Sequence, residues 1–232
     1  MSKNIIKGAG CCFFIEEEGE YYVLLGRDHQ TQKWNDFGGS CESWESPWAT
    51  AIRECKEETS CTIDPSNMEY EFKIFLRSYC CYFFRVDNLI SDFDEIKKHF
   101  DINHSRFRAY FSSESYRSNR KRELDKLEDQ KSTQNPGLKY RPIFTFDDKI
   151  YTFDTYDNNE CYIENDEIGL FRVDDLLFSQ YKHALNPRFR KILEKFRSSD
   201  VCSGFFPKLP INDIIPRQSF TPEQIFKVKV LS

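Results

Sequence analysis

The stretch GGSCESWESPWATAIRECKEETSC, Gly38 to Cys61, sets Glu54, Glu57 and Glu58 within five residues, directly after Arg53. Its local signals predict a helix from Pro47 to about Thr59. Ser46 is a natural N-cap, and Pro47 suits the first helical position because its missing N–H has no intrahelical partner there. Trp48, Ile52, Cys55 and Thr59 recur at helical spacing and are expected to form the buried stripe. Glu54, Glu57 and Glu58 then lie three and four residues apart, toward one side and away from that stripe. Carboxylates so placed repel: at ~5 Å and an effective dielectric of ~20, each pair costs about 3 kcal/mol before screening. A hard cation reverses the sign. Three carboxylates with loop carbonyls and waters suit Mg²⁺ or Mn²⁺. The bland alternative is an acidic face turned to water. Glu57 also sits four residues after Arg53, within reach of a helical ion pair.

The rest of the composition bounds the possibilities. With 232 residues, 39% of them hydrophobic, the chain can bury one sizeable core, or one domain with an insertion. Its 22 phenylalanines argue against disorder of the whole chain. The formal charge of -5 provides no bulk attraction to nucleic acid or anionic lipid, so neither DNA nor a membrane is an expected partner. The N-terminus lacks the apolar run of a signal peptide, and no stretch approaches the ~20 apolar residues of a membrane span. Nine cysteines is an odd number, and no CxxC occurs. Cys11-Cys12 and Cys80-Cys81 are adjacent and would point to opposite faces of a strand. Reduced thiols in a reducing compartment, the cytoplasm, are expected over a disulfide or zinc framework. His29, His99, His104 and His183 are scattered and suggest no histidine metal site. No P-loop is present.

Along the chain, Ile5–Ile15 and Glu20–Asp28 read as two strands of a hairpin around Glu16-Glu17-Glu18-Gly19. HQTQKWNDFGG reads as a loop. Tyr70–Val86 reads as two strands, or one long bent one. From about Asp92 to Lys131 the chain is polar and compatible with helix, and Ser132–Pro142 reads as a linker. Strand-like pieces return at Ile143–Phe146, Lys149–Phe153 and Glu167–Val173. Helices are expected at Asp174–Tyr181 and, capped by Asn186, at Pro187–Arg197. The tail from Val201 holds several prolines and is expected to wrap the surface. Strands flanking a helix, then more strands and helices, suggest a mixed sheet with helices against it.

The spacing of Gly39, Glu45, Arg53, Glu54, Glu57 and Glu58 resembles the signature of the Nudix hydrolase family, Gly-x5-Glu-x7-Arg-Glu-U-x-Glu-Glu-x-Gly-U, where U is a bulky aliphatic residue. With each residue type near one position in about fifteen, a chance match is on the order of 10⁻⁵ for a chain this long. Ser60 replaces the second glycine and Cys55 and Cys61 fill the U positions. Serine at that place would end the helix with some strain, because the left-handed conformation favours glycine. Outside the box the resemblance is looser, covering about residues 5–86 and 160–198. It implies an α/β (α+β) fold: an α/β/α sandwich with a mixed sheet. That gives one domain over residues 1–200, a largely helical insertion at about 88–145, and a C-terminal tail at 201–232.

The same resemblance implies a metal-dependent pyrophosphohydrolase acting on a nucleoside-diphosphate-type compound, small molecule or RNA 5′ end. Glu54, Glu57 and Glu58 would hold Mg²⁺ or Mn²⁺ with the Gly38 carbonyl, one of them also serving as base. Arg53 would orient the glutamates, Gly39 would let the loop turn beside them, and Glu45 would brace it. The family often adds an acid from a distant loop; Glu164 is the first candidate, ahead of Glu167 and Glu160. Arg27 could meet a phosphate, or be a surface arginine. Trp34 and Phe37 could stack a base, or pack beneath the loop. Arg106, Arg108, Arg117, Arg120, Lys121, Arg122, Lys126 and Lys131, interleaved with Phe107, Tyr110, Phe111 and Tyr116, leave two readings of the insertion. It is a lid over a polyanion, or a solvated helical hairpin whose acids dilute its charge. The alternative function is a Nudix-fold module that binds a nucleotide or protein without cleaving it.

Overall fold

Strand β1 (Gly8–Glu17) organises the sheet, because its apolar run is buried on both faces. It turns through Glu18 and Gly19, both at positive φ, into the antiparallel β2 (Glu20–Asp28). The next stretch, HQTQKWNDFGG, is more ordered than a loop. It carries β3 (Trp34–Asn35), which pairs with β2, and β4 (Phe37–Ser40), which pairs with β1. Helix α1 (Pro47–Glu58) follows, capped by the Ser46 hydroxyl, which accepts from the Ala49 N–H. Tyr70–Val86 resolves into two antiparallel strands, β5 (Phe72–Leu76) and β6 (Tyr79–Arg85), joined at Arg77, which has positive φ.

Two 19-residue helices come next, α2 (Phe93–Phe111) and α3 (Glu114–Ser132), then a separate hairpin of β7 (Ile143–Phe146) and β8 (Lys149–Thr152). Strand β9 (Asn165–Arg172) returns to the main sheet beside β2. The chain closes with α4 (Val173–Phe178), a 3₁₀ turn at Gln180–His183 and α5 (Pro187–Ser198). The expected helix at Asp174–Tyr181 thus divides in two. The computed structural model describes residues 5–132, 143–146, 149–152, 161–178 and 180–198. Most of the expected linker, Glu160 and the tail from Val201 lie outside them.

The main sheet is mixed. Strand β6 runs parallel along one edge of β1 from Gly8 to Phe14. The other edge of β1 is shared. Its first half, Gly8–Cys11, pairs with β4, and its second half, from Phe13, pairs with β2. Beyond Leu24, β2 therefore parts from β1 and continues between β9 and β3. The sheet forks, and β4 lies inside the fork with the end of α1 over it.

Alternation divides the strand side chains between two cores. Cys12 and Phe14 of β1, with Cys81 and Phe83 of β6, face α5, where Phe72, Phe83 and Phe196 stack. Cys11 and Phe13, with Cys80 and Phe84, face α1 and α2. The adjacent cysteines do point apart, and the seven whose side chains are described are free thiols. Helix α2 packs onto the body of the protein: Ile96 and Phe100 enter the core beside α1, and Phe107 is buried near its end. Helices on both faces of a mixed sheet make this an α/β/α sandwich. Among the described residues no helix is long and apolar enough to cross a membrane.

Candidate functional site

The acidic side of α1 is not turned to water. Thr50, Ala51, Glu54, Cys55 and Glu57 form its buried face, with Thr59 just beyond, while Trp48 and Ile52 are only partly buried. The expected stripe is therefore too narrow. α1 lies over β1 and β4 across both its apolar and its acidic residues, so Glu54 and Glu57 keep only 9% and 8% of their exposure. Glycine is required opposite them: a Cβ on Gly39 would come within 2.6 Å of the Glu54 carboxylate.

Arg53 holds this face together. Its Nε and Nη2 donate to the two oxygens of Glu45 at 2.8 and 3.0 Å, a bidentate pair. Nη1 lies 2.8 Å from Glu54 Oε1 and 2.9 Å from Glu57 Oε2, and Nη2 also donates to the Ser40 carbonyl at 3.1 Å. Glu45 receives the Thr50 hydroxyl as well, so it braces the loop against α1. Glu58 Oε2 accepts from the Gly38 N–H at 2.7 Å. Among the described residues, no hydrogen bond reaches the second oxygen of Glu54, Glu57 or Glu58.

Burial dominates the electrostatics. It opposes the charge on Arg53, but Glu45, Glu54 and Glu57 outweigh it and raise the guanidinium pKa. Burial raises Glu54, with Arg53 partly offsetting it. Glu57 is pushed up to about 8, first by burial and then, against Arg53, by Glu54 and Glu164. Glu58 is raised well above the carboxylate range by burial, Glu54, Glu164 and Asp36, with the Gly38 N–H acting the other way.

Glu164, ahead of β9, thus exerts its charge on Glu57 and Glu58 although it lies more than 100 residues away in sequence. Four consecutive residues carry it there. The Tyr162 carbonyl accepts from the Ser60 hydroxyl at 2.6 Å, and His104 hydrogen-bonds the backbone of Ile163. The Glu164 carbonyl accepts from the His29 N–H at 3.0 Å and faces its Nδ1 at 2.9 Å. Asn165 Nδ2 donates to the Glu58 carbonyl at 3.2 Å.

Ser60 earns its place in this set. It sits at φ +49, and Cys61 follows at φ +57. The Ser60 N–H reaches the Glu57 carbonyl and the Cys61 N–H reaches the Lys56 carbonyl, which closes the helix in a Schellman motif. The expected strain is present, and the buried hydroxyl offsets it through Tyr162.

Several expected substrate contacts fall elsewhere. Phe37 is fully buried against Phe13 and cannot stack a base, because β4 turns it into the core. Trp34 packs edge-on against Phe171 at 4.6 Å beneath the loop. Arg27 is engaged by Asp166 at 2.9 Å and Glu167 at 3.0 Å, so contact with a phosphate would cost two ion pairs. Glu167, opposite Arg27 on β9, is thereby drawn off from the glutamates. The Gly38 carbonyl lies 3.4 Å from Arg188 Nη2.

Three residues at the site gave no signal in the sequence. Asp36 is fully buried and accepts from the Tyr79 hydroxyl at 2.7 Å, with Arg188 Nη2 at 3.4 Å. Arg188 lies over the Tyr79 ring, 3.8 Å from its centroid, and its charge acts on Glu54 and Glu58. Asp36 to Arg188 spans 152 residues of sequence, so no local pattern joins them.

Glu54, Glu57 and Glu58, with Glu164 acting on two of them, are offset in part by Arg53 and Arg188. An oxygen-only donor set, buried and with spare carboxylate oxygens, fits a hard divalent cation. Among the described residues no three His, Cys, Asp or Glu side chains are already grouped as a metal cluster. Arg53 and Gly38 hold one oxygen of each glutamate instead.

A family model of the NUDIX domain matches residues 6–131, more than half of the chain. A search of curated proteins finds no match. Among solved structures, an Ap4A hydrolase binary complex from C. elegans is 15% identical, with 87% of this chain and 100% of that one covered, at a TM-score of 0.41. The Nudix hydrolase RenU from M. smegmatis is 11% identical over 83% and 84%, at 0.37. Shewanella oneidensis NrtR, complexed with a 27mer DNA, is 12% identical over 82% and 60%, at 0.34. With the box from Gly39 to Cys61 running from β4 through α1 and the family model spanning β1 to β6, the chain belongs to the NUDIX domain family.

Proposed function

We propose that the protein is a divalent-metal-dependent pyrophosphohydrolase that cleaves the diphosphate linkage of a nucleotide-type substrate, free or at an RNA 5′ end. The observation that carries this is the buried carboxylate face of α1. Glu54, Glu57 and Glu58 would hold Mg²⁺ or Mn²⁺ with Glu164, and the ion would neutralise phosphate oxygens and acidify water. Arg53 keeps Glu54 and Glu57 aligned. One of these carboxylates would also serve as the base. Water then attacks phosphorus, its proton passes to such a carboxylate, and the bond from phosphorus to the bridging oxygen breaks.

Loss of the second family glycine and the large insertion are the sequence features that favour a non-catalytic binding module. Ser60 nevertheless closes the helix and leaves the glutamates on their face. The odd cysteine count and the lack of a CxxC are the features behind a reducing compartment such as the cytoplasm.

The test is a panel of nucleoside triphosphates, nucleotide sugars, dinucleoside polyphosphates and capped RNA with Mg²⁺ or Mn²⁺, its products separated by chromatography. The wild type should turn over at least one member, and Glu57→Gln and Glu58→Gln should each lose about 10²–10³-fold. No turnover by the wild type, or full turnover by both variants, contradicts the reading.

A further inference from the structure

A cleft of about 190 Å³ opens beside the segment that carries Glu164. One wall is a stripe of α2, His104, Arg108 and Phe111, at spacings of four and three that a helix places on one side, continued by Ser112 just past its end. The facing wall is His29 and Asp166. The cleft is thus built jointly by the insertion and the forked sheet, and Asp166 stands two residues from Glu164. Resting on the function proposed above, we infer that this cleft seats the nucleobase of the substrate, so that the insertion sets its specificity.

The chemistry favours a base over a phosphate. The lining holds one arginine and one carboxylate, and Asp166 is itself paired to Arg27 and Gln32. Nothing here resembles the several converging cations or N–H groups of an anion site. His104 already hydrogen-bonds the backbone of Ile163, and the second nitrogen of a neutral imidazole accepts. Arg108 donates, Ser112 does either, and Phe111 contributes a ring. Donors, acceptors and an aromatic wall suit the polar edge and flat face of a base. The volume lies below the ~300–1,000 Å³ of pockets that enclose a whole ligand, which suits one planar group. Arg108 is exposed and makes no ion pair with a described residue, so its guanidinium is available.

The test is calorimetry of the full chain with AMP, GMP, CMP and UMP in Mg²⁺, and with inorganic pyrophosphate. Arg108→Ala removes the donor; Ser112→Trp fills the cleft from an exposed position. At least one mononucleotide should bind the wild type. Arg108→Ala should weaken it about 10-fold and Ser112→Trp by more, with pyrophosphate binding unchanged in both. In turnover, both variants should raise KM for the substrate and leave kcat near that of the wild type. Equal weakening of pyrophosphate would mark an anion site and overturn the inference. So would mononucleotide binding that both variants retain, or a wild type that binds none. If mononucleotides bind as described and no diphosphate is cleaved, the cleft stands and the hydrolase reading fails.

Discussion

Helices α1 and α2 cover the same face of the sheet and bury opposite kinds of side chain. Helix α2 inserts Ile96, Phe100 and Phe107, ordinary apolar packing. Helix α1 buries Glu54 and Glu57 beside Ala51 and Cys55, with Arg53 alone on the helix to answer them. Burying a carboxylate disfavours its charge and does nothing for the core. One helix therefore contributes apolar packing alone, and the other also carries an electrostatic cost of the kind that clusters at functional sites.

That contrast can be broken. Phe100→Ala in α2 should destabilise the protein by about 3–5 kcal/mol in urea denaturation, because a fully buried ring leaves a cavity. Glu57→Gln in α1 should do the reverse. Hydrolysis should fall about 10²–10³-fold, while stability at pH 8 without divalent ions should hold or rise, since a buried carboxyl no longer has to ionise. If Glu57→Gln unfolds the protein as Phe100→Ala does, the two helices do not differ as described.

The pH dependence sharpens the same point. Glu57 is raised from an ordinary value of 4.5 to about 8. Folding therefore favours its protonated form. The stability it contributes is fully present below about pH 4.5 and is lost as pH rises through about 8. Thermal melts without divalent ions should show the melting temperature falling across that window, and Mg²⁺ should restore it most at the alkaline end. A melting temperature that rises from pH 5 to 8 and ignores Mg²⁺ counts against a cation site. The smallest effect is expected where α1 ends. Ser60→Ala should cost about 1–2 kcal/mol, because the Tyr162 carbonyl loses its donor while the positive φ remains. Ser60→Gly should stay within about 1 kcal/mol of wild type, since relief at φ +49 offsets the lost hydrogen bond.

The same contrast shows what could be read in advance. Helix α1, its cap and its glutamates were legible because capping, helical spacing and the box all lie within one short stretch. The depth of burial was not. Helical spacing leaves a wet acidic face open beside a cation site, and only the fork of the sheet, with β4 lying under α1, puts the glutamates inside. Phe37, expected to be able to meet a base, lies in that short strand and turns inward. The Tyr162–Asn165 segment was illegible for a different reason. His29, Ser60 and His104 look unrelated in sequence, yet each bonds one of its backbone groups, and such partnerships leave no periodic trace. Asp36, Tyr79 and Arg188 were hidden in the same way. The insertion's rings read as lid or as hairpin, and the burial of Phe107 and Tyr116 depends on Tyr162, a partner far away in sequence.

The claim that everything rests on is that the buried carboxylates of α1 bind a divalent cation. Mn²⁺ titration followed by electron paramagnetic resonance measures this without substrate. The wild type should take up Mn²⁺ with loss of the free-ion signal, and a protein carrying Glu54→Gln, Glu57→Gln and Glu58→Gln should leave that signal unchanged. Equal uptake by both proteins, or none by the wild type, would contradict the account.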